Sequence, residues 1–426
     1  MKRGTVLPSP DERNRKSSMK PLELLAPAGN LEKLKFAIEY GADAVYLGGK
    51  AFGLRAYGGN FDTAEMAEGI QFAHERGKKI YVTVNIMAHN RDLPELPDYL
   101  KSLDQLGVDA LIISDPGVFV LAKEYAPHTE LHVSTQANTT NWSAARFWQQ
   151  QGASRIVLAR ELSLDETKEI HEKTGVEIES FVHGAMCISY SGRCLLSNYF
   201  SETRDSNRGE CIQACRYKYR VVEEARPGEY WPVEEDERGT YIFNSKDLCL
   251  LPLIPKMAEA GITSFKIEGR MKSAHYVATV TGVYRSALDA YLREGDDYYV
   301  RPEWYQELEK ISHRPYTTGF AVGRPSEQDQ IYGSSSNVQS HEFIGLVLEY
   351  DEATKTALIE QRNHFSVGEL VEFRTPEGNV FTQKIEQMTD GEGEAISRAP
   401  HPRMLVRLPM QQAVTKHSLM RRQIHG

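Results

Sequence analysis

The segment GVDALIIS, residues 107–114, joins a glycine to a short apolar run, and variants of it recur along the first two-thirds of the chain. Glycine suits the left-handed position that ends a helix, and the apolar run suits a strand buried on both faces. Each copy therefore predicts a helix end followed by a strand of a parallel sheet. The other copies are GADAVYLG (41–48), GASRIVLA (152–159), GVEIESFV (175–182) and GITSFKIEG (261–269).

Three further apolar segments complete a set of eight strands: LELLAPAG (22–29), KKIYVTVN (78–85) and ELHVSTQ (130–136). Helical patterns separate them, and eight alternating units favour an α/β fold with a TIM-like (β/α)8 barrel over an open doubly wound sheet. No glycine-rich dinucleotide fingerprint follows the first strand, which further disfavours the open sheet.

The sequence predicts five segments along the chain. Residues 1–20 are expected to form a flexible basic arm, and residues 21–315 the barrel, with an insertion at about 184–262 that is too long for a simple crossover. Residues 316–340 read as a polar linker rich in glycine and serine. Alternating apolar positions predict a small β-barrel-like domain over 341–412, followed by a basic tail over 413–426.

The composition is typical of a folded protein, with 41% hydrophobic and 26% charged residues. No run is long and apolar enough to span a membrane, and the N-terminus lacks the apolar centre of a secretory signal, so a cytoplasmic protein is predicted. The net charge of −9 argues against coating of nucleic acid by overall charge. A local basic patch would still suffice to bind nucleic acid. The candidate residues for it are Arg403, Arg407, Lys416, Arg421 and Arg422.

Four of the five cysteines lie within 29 positions of the insertion, at Cys187, Cys194, Cys211 and Cys215, and the fifth is Cys249. In a reducing compartment such a cluster indicates metal ligands or catalytic groups more often than disulfides. Four thiolates suit either zinc or an iron-sulfur cluster. The wide spacing of the first pair favours a cluster over zinc, and both readings stay open. For Cys249 the alternative is a buried structural cysteine.

Residues 179–197, ESFVHGAMCISYSGRCLLS, resemble the signature of the collagenase-like peptidase family U32. The resemblance covers roughly residues 21–310, continues through NSKDLC and FKIEGRMKS, and includes the C-terminal β domain. The layout is most similar to the branch of the family that is implicated in prephenate-dependent formation of 5-hydroxyuridine at the tRNA wobble position.

The resemblance implies a 4Fe-4S cluster bound by Cys187, Cys194, Cys211 and Cys215, with Cys249 as an alternative fourth ligand. It also implies tRNA as substrate, prephenate as a small dicarboxylate co-substrate, and a paralogous family member among the partners. Tail and β-domain cations would then contact RNA.

Polar residues at the predicted strand ends are candidates for the chemistry, because a barrel places its site at that face. His183, Lys266 and Glu268 are the predicted catalytic residues. A Lys266–Glu268 pair that only holds the barrel closed is the structural alternative. Arg270, with Lys266, would hold the carboxylates of a dianion such as prephenate. The other predicted substrate-binding residues are Arg55, in a possible glycine-rich lid, and Asn85, Gln136 and Arg160.

Two other functions compete with hydroxylation. A peptidase needs an activated nucleophile, and His183 lies four residues before Cys187, yet a thiolate held by a cluster is not free to attack a peptide bond. The sequence contains neither a zinc-protease helix motif nor a serine elbow. An RNA-binding protein without catalysis is the third hypothesis.

Overall fold

The computed structural model describes residues 21–50, 52, 60–187, 189–191, 193–201, 204–208, 210–216, 218–219, 235–236, 239–241, 246–323 and 338–424. The predicted basic arm at 1–20, Arg55 and most of the predicted linker lie outside the described residues. In the described part, no helix is long and apolar enough to cross a membrane.

Eight parallel strands close into the predicted barrel, because the last strand pairs with both the first and the seventh. This confirms all eight predicted strands. The barrel strands are β1 (Glu23–Pro27), β2 (Ala44–Gly48), β3 (Lys79–Val84), β4 (Ala110–Ile113), β5 (Glu130–Val133), β6 (Arg155–Val157), β7 (Glu177–Ala185) and β12 (Ile262–Ile267).

Glycines end several of the helices that precede these strands, as the recurring phrase predicts. Gly107, Gly152 and Gly175 are the C-caps of their helices, with φ of 76°, 103° and 65° in the left-handed region. The helices of the barrel and its insertion are α1 (Leu31–Glu39), α2 (Thr63–His74), α3 (Leu96–Leu106), α4 (Pro116–Tyr125), α5 (Trp142–Gln151), α6 (Leu164–Thr174), α7 (Leu196–Phe200), α8 (Ile254–Glu259), α9 (Ala274–Glu294) and α10 (Pro302–Leu308). Short 3-10 turns lie at Thr135–Ala137, Ser206–Arg208, Ala214–Arg216, Leu251–Leu253 and Gly295–Asp297.

The insertion leaves the barrel after β7, whose last residues extend beyond the barrel wall. There they pair antiparallel with β11 (Asp247–Cys249), which in turn pairs with β13 (Tyr316–Thr317). Helix α8 then leads to β12, so the chain returns to the barrel at Ile262, close to the predicted end of the insertion. A three-stranded sheet lies inside the insertion, with β8 (Lys218–Tyr219), β9 (Glu235–Asp236) and β10 (Gly239–Tyr241).

The C-terminal domain is an antiparallel sheet in the order β18-β17-β23-β14-β15-β22-β19-β20, with a separate β16-β21 pair. The predicted basic tail is wrong for Leu419–Gln423. That segment, LMRRQ, forms β23, between β14 and β17. The strands are β14 (His341–Asp351), β15 (Thr356–Gln361), β16 (Phe365–Ser366), β17 (Leu370–Arg374), β18 (Val380–Lys384), β19 (Met388–Asp390), β20 (Ala395–Ile396), β21 (Arg398–Ala399), β22 (Leu405–Pro409) and β23 (Leu419–Gln423).

A buried ionic cluster joins this sheet to the barrel domain. Arg421, on β23, is fully buried and donates to Glu372 at 2.5 Å and to Glu307 at 2.7 and 2.8 Å. Lys310 contacts the same two carboxylates at 2.9 and 2.6 Å. Glu307 and Lys310 belong to α10 and the turn after it, so the cluster fixes the sheet against the barrel domain.

Replacing Glu307 with glutamine is expected to remove an acid-sensitive part of the stability. Burial alone would raise the pKa of Glu307, but Arg421, Arg374 and Lys310 lower it from 4.5 to about 2. Because the folded pKa is depressed, this stabilisation is present above about pH 4.5 and is lost as the pH falls towards 2. The shift corresponds to on the order of 3 kcal/mol.

Urea unfolding at about pH 7 and about pH 3 measures the effect. We expect the wild-type protein to lose more stability between the two pH values than Glu307→Gln, which is already weaker at neutral pH. Glu309→Gln is the matched control, because Glu309 is exposed and ends the same helix. Equal acid sensitivity of Glu307→Gln and wild type would contradict the assignment.

Candidate functional site

The barrel interior below the mouth is occupied by a network of paired charges. Lys266 donates to Glu179 at 2.7 Å, and Arg155 contacts Glu179 at 3.2 Å and Glu23 at 2.5 Å. Glu179 is fully buried, and although burial opposes it, Lys266 and Arg155 lower its pKa. These two carboxylates and two cations therefore hold one another across β1, β6, β7 and β12. Breaking such a buried pair costs about 3–5 kcal/mol.

Lys266 belongs to this network, which corrects its predicted catalytic role at the mouth. Its ammonium also lies 4.4 Å from the ring centre of Tyr46 and 5.3 Å from that of Phe181. The Lys266 ammonium is therefore surrounded by a carboxylate and two aromatic rings, and it stabilises the barrel interior. The structural alternative predicted a Lys266–Glu268 pair. A structural pair is present, but the partner of Lys266 is Glu179.

His183 lies at the C-terminal end of β7, level with the last residue of β12, but its side chain is buried among tyrosines, which does not support the predicted catalytic role. Its ring packs against Tyr276, Tyr284 and Tyr316, with centroids 6.0, 5.5 and 5.3 Å away. Its Nδ1 is 3.5 Å from the Tyr284 hydroxyl, and burial lowers the pKa of His183 to about 3. The imidazole is therefore neutral at physiological pH. His183 belongs to the β7–β11 extension, where Cys249 is its strand partner.

The mouth of the barrel holds Arg270, which follows the end of β12. Only 4% of Arg270 is exposed; its Nη1 donates to Thr83 Oγ1 at 3.1 Å and its Nη2 to Asn60 Oδ1 at 2.9 Å. The Thr83 hydroxyl itself donates to Leu47 O at 3.1 Å. Gly48 makes room for this arrangement, since a Cβ there would lie 2.3 Å from Nη2 of Arg270.

A second cation at the mouth, Arg160, holds the start of the insertion. It forms an ion pair with Glu268 at 2.9 Å and donates to Ala185 O at 2.7 Å. Its guanidinium lies 3.8 Å from the ring centre of Phe181. The predicted catalytic Glu268 is therefore at the mouth, but it is the partner of Arg160 and not of Lys266.

Amide groups also line the mouth, at the ends of β3 and β5. Asn85 Nδ2 lies 3.3 Å from Gln136 Oε1 and 3.4 Å from Ser134 Oγ. The structure thus brings Asn85, Gln136, Arg160, Glu268 and Arg270 to one face of the barrel, as the rule for strand ends predicts. A guanidinium among hydrogen-bonding amides and hydroxyls is suited to bind a small carboxylate-bearing molecule.

Sequence reasoning missed two of these mouth residues. Thr83 was detectable as a hydroxyl within the otherwise apolar strand IYVTV, where a buried polar group needs a partner. Asn60 gave no such signal, because it follows a glycine pair in a segment without apolar periodicity.

The cysteine-bearing segment is tied to the mouth by two contacts. Asn138, which follows β5, donates from Nδ2 to Ser191 O at 3.0 Å and to Gln136 O at 3.0 Å. Arg208 makes a bidentate ion pair with Asp92, in the loop after β3, at 2.9 and 2.8 Å. The segment that carries Cys187 and Cys194 is therefore held beside the substrate-binding candidates.

The four cysteines of this segment are accessible, unlike Cys249. Cys187 and Cys211 are exposed and Cys194 and Cys215 are half-buried, and none of the five forms a disulfide. The backbone N–H of Gln213 donates to Cys211 Sγ at 3.3 Å, a contact of the kind that tunes cluster thiolates. The donor set fits an iron-sulfur cluster by its chemistry. Within the described ranges, however, no three His, Cys, Asp or Glu side chains are gathered closely enough to hold a metal ion.

The cations predicted to contact RNA divide into two groups. Arg403, Arg407 and Lys416 are exposed on the C-terminal domain. Arg421 is fully buried between Glu307 and Glu372, and Arg422 pairs with Glu342 and Glu369 at 2.6 Å each. The prediction that Arg421 and Arg422 contact RNA is therefore wrong, because both side chains form ion pairs with carboxylates within the fold.

Comparison with known proteins decides the family. The profile of peptidase family U32 matches residues 29–331, and that of the peptidase family U32 C-terminal domain matches residues 339–421. The chain belongs to peptidase family U32. The family assignment covers both domains, and it agrees with the signature around Cys187.

Relatives in this U32 family carry names from RNA modification. The chain is 46% identical to tRNA hydroxylation protein P1 of Bacillus subtilis over 94% of each chain. It is 39% identical to tRNA hydroxylation protein P of Escherichia coli, over 95% of this chain and 97% of the relative. A third relative, 38% identical over 76% of this chain and 48% of its own length, is named as a 23S rRNA 5-hydroxycytidine synthase of Escherichia coli.

Proposed function

We propose that this chain is an RNA-modifying enzyme that hydroxylates the wobble uridine of tRNA to 5-hydroxyuridine, with prephenate as co-substrate. The observation that carries the proposal is the likeness, over nearly the whole length, to two relatives named tRNA hydroxylation proteins. The barrel mouth supports it, because Arg270 and the neighbouring amides offer hydrogen bonds to a small dicarboxylate.

The proposal includes a 4Fe-4S cluster held by Cys187, Cys194, Cys211 and Cys215. A cluster bound by four thiolates would supply one-electron transfer to the reaction at the mouth. The protein's own contribution is to hold this segment in place, through Asn138 and the Arg208–Asp92 pair, and to orient the co-substrate through Arg270. Exposed Arg403, Arg407 and Lys416 would attract the phosphate backbone of the RNA.

The family name raises peptidase activity as an alternative, and the site gives it no support. A Cys–His nucleophile requires the imidazole within hydrogen-bond reach of an accessible thiol. The imidazole of His183 is buried among tyrosines, with Tyr284 as its hydrogen-bond partner, whereas Cys187 is exposed.

Nucleoside analysis of tRNA by mass spectrometry tests the proposed function. Expression of this chain in a bacterial strain without 5-hydroxyuridine-forming enzymes is expected to restore 5-hydroxyuridine, and the restored level should depend on prephenate supply. Purified protein should reproduce the modification on unmodified tRNA. Binding of tRNA without modification under both conditions would favour the RNA-binding hypothesis, and gelatin cleavage would favour the peptidase.

A further inference from the structure

Four large apolar side chains are exposed within eleven positions of the cysteine segment. They are Tyr190 (49% exposed), Leu195 (52%), Tyr199 (83%) and Phe200 (56%). Three of the four are aromatic. We infer that this aromatic patch, Tyr190, Leu195, Tyr199 and Phe200, is a stacking surface for unpaired bases of an RNA loop whose target base enters the barrel mouth.

Two sets of backbone contacts position the residues of the patch, one at helix α7 and one at Ser191. Leu195 and Tyr199 are one turn apart at helix α7, where Tyr199 N donates to Leu195 O at 3.3 Å, and Phe200 is the last residue of that helix. Tyr190 precedes Ser191, whose carbonyl Asn138 holds against the mouth. The same Asn138 side chain donates to Gln136 O. Asn138 therefore links the residue after Tyr190 to Gln136 at the mouth.

The chemistry of the patch matches single-stranded RNA better than an apolar protein surface. Unpaired bases stack on exposed aromatic rings without regard to sequence, and the phosphates between them need cations. Arg193, between Tyr190 and Leu195, is exposed and can supply one. An enzyme that acts on a base in an RNA loop also takes that base out of its stack, and exposed rings can hold the bases beside it.

The distribution of charge also calls for such a surface. The chain has a net charge of −9, and two of its five predicted RNA-contacting cations, Arg421 and Arg422, are paired with carboxylates inside the fold. Arg403, Arg407 and Lys416 remain exposed on the C-terminal domain, and stacking on the cysteine segment would add a contact to the RNA loop that these cations do not make. This inference rests on the proposed function, because it assumes that RNA is the substrate.

Binding of a fluorescein-labelled RNA hairpin to the full chain, measured by anisotropy, tests the inference. Tyr199→Ala is expected to weaken binding by roughly fivefold to a hundredfold, the range for loss of one stacked base. Tyr199→Phe should restore binding, whereas Tyr199→Leu, which keeps apolar surface without an aromatic ring, should not. Phe147→Ala is the matched control, since Phe147 is 50% exposed on the outer helix α5 and should be dispensable.

A second readout reports stacking directly. 2-Aminopurine in the hairpin loop should lose fluorescence on binding to wild type and keep it with Tyr199→Ala at saturating protein. Circular dichroism of each variant verifies that the fold is retained.

The outcomes separate this inference from the proposed function. If the wild-type protein does not bind the hairpin, the proposed function fails and the inference fails with it. If wild type binds and modifies RNA while Tyr199→Ala binds equally well, only the inference is wrong. Full binding by Tyr199→Leu, or loss of self-association in light scattering with RNA binding intact, would show an apolar protein contact and would also overturn it.

Discussion

Replacing Cys215 with alanine is expected to remove most of the iron from anaerobically purified protein and to abolish tRNA hydroxylation, whereas replacing Cys249 with alanine should preserve both. The sequence left these two cysteines in competition for the fourth ligand position of the proposed cluster. Their surroundings in the structure differ in two respects that favour Cys215.

The first difference is location. Cys215 lies in the 3-10 turn Ala214–Arg216, four residues after Cys211, and is half-buried on the same segment as the other three thiols. The backbone of this segment is internally bonded, since Ile212 N donates to Ser197 Oγ at 3.2 Å and Ser206 Oγ donates to Cys194 O. These contacts hold the stretches that carry Cys194 and Cys211 close to one another in the fold.

The second difference is burial. Cys249 is 3% exposed and forms part of strand β11, opposite His183 on β7. Burial raises the pKa of its thiol to about 11, and the Tyr284 hydroxyl lies 3.8 Å from Sγ. A neutral thiol fixed in a strand pair has to leave its place in the core before it can serve as a ligand. Its loss should cost packing, about 1 kcal/mol or more for the cavity, and not the cluster.

Iron and acid-labile sulfide per chain, with the visible absorption of the purified variants, measure the result. Cys187→Ala, Cys194→Ala and Cys211→Ala should behave like Cys215→Ala. Because the same substitution is made at all five positions, differences among them reflect position. Retention of iron by Cys215→Ala together with its loss from Cys249→Ala would reverse the assignment, and zinc without iron in the wild type would overturn the proposed cluster.

The barrel was predictable because its signal is local and repeated. Five of the eight strands are short apolar runs after a glycine, and the glycine at 107, 152 or 175 adopts the left-handed conformation that its position requires. The roles of Arg421 and Arg422 were not predictable in the same way. Their partners lie up to 114 residues away, at Glu307, and a run of cations in sequence does not reveal which of them fold onto carboxylates.

The mouth shows the same division between local and distant signals. Asn85, Arg160 and Arg270 directly follow or lie near strand ends, so the barrel rule places them at one face. His183 and Lys266 are within strands, and their direction depends on register. The pairing of β7 with β12 is irregular between Lys266 and Ile267. This irregularity belongs to the tertiary structure, and neither FVHGA nor SFKIEG contains a sequence pattern that predicts it.

Arg270→Ala is expected to lower tRNA hydroxylation about a hundredfold at limiting prephenate, chiefly by raising KM for prephenate. The guanidinium is buried at the mouth, and two of its acceptors there, Thr83 Oγ1 and Asn60 Oδ1, are uncharged oxygens. A carboxylate is a stronger acceptor than either, so a bound dianion would gain charge-assisted bonds there. Loss of hydrogen bonds to a charged group costs about 1.5–3 kcal/mol each, which sets the size of the effect.

Steady-state kinetics with tRNA and prephenate varied separately distinguishes this role from a structural one. Arg270→Lys should remain impaired, because a point charge cannot reproduce the planar fork. Gly48→Ala should mimic part of the defect without touching any charge, since its Cβ would lie 2.3 Å from Nη2 and displace the guanidinium. Arg285→Ala is the control arginine: it breaks an ion pair with Asp43, yet Arg285 lies on α9 outside the mouth.

Which KM value changes shows whether Arg270 binds the dianion. A defect confined to KM for prephenate, with KM for tRNA unchanged in Arg270→Ala and Gly48→Ala, is what an anion-binding guanidinium predicts. A general loss of folded protein would lower the amplitude of activity with both substrates and would leave both KM values where they were. An unchanged KM for prephenate in Arg270→Ala would therefore exclude Arg270 as the carboxylate ligand, whatever the remaining activity.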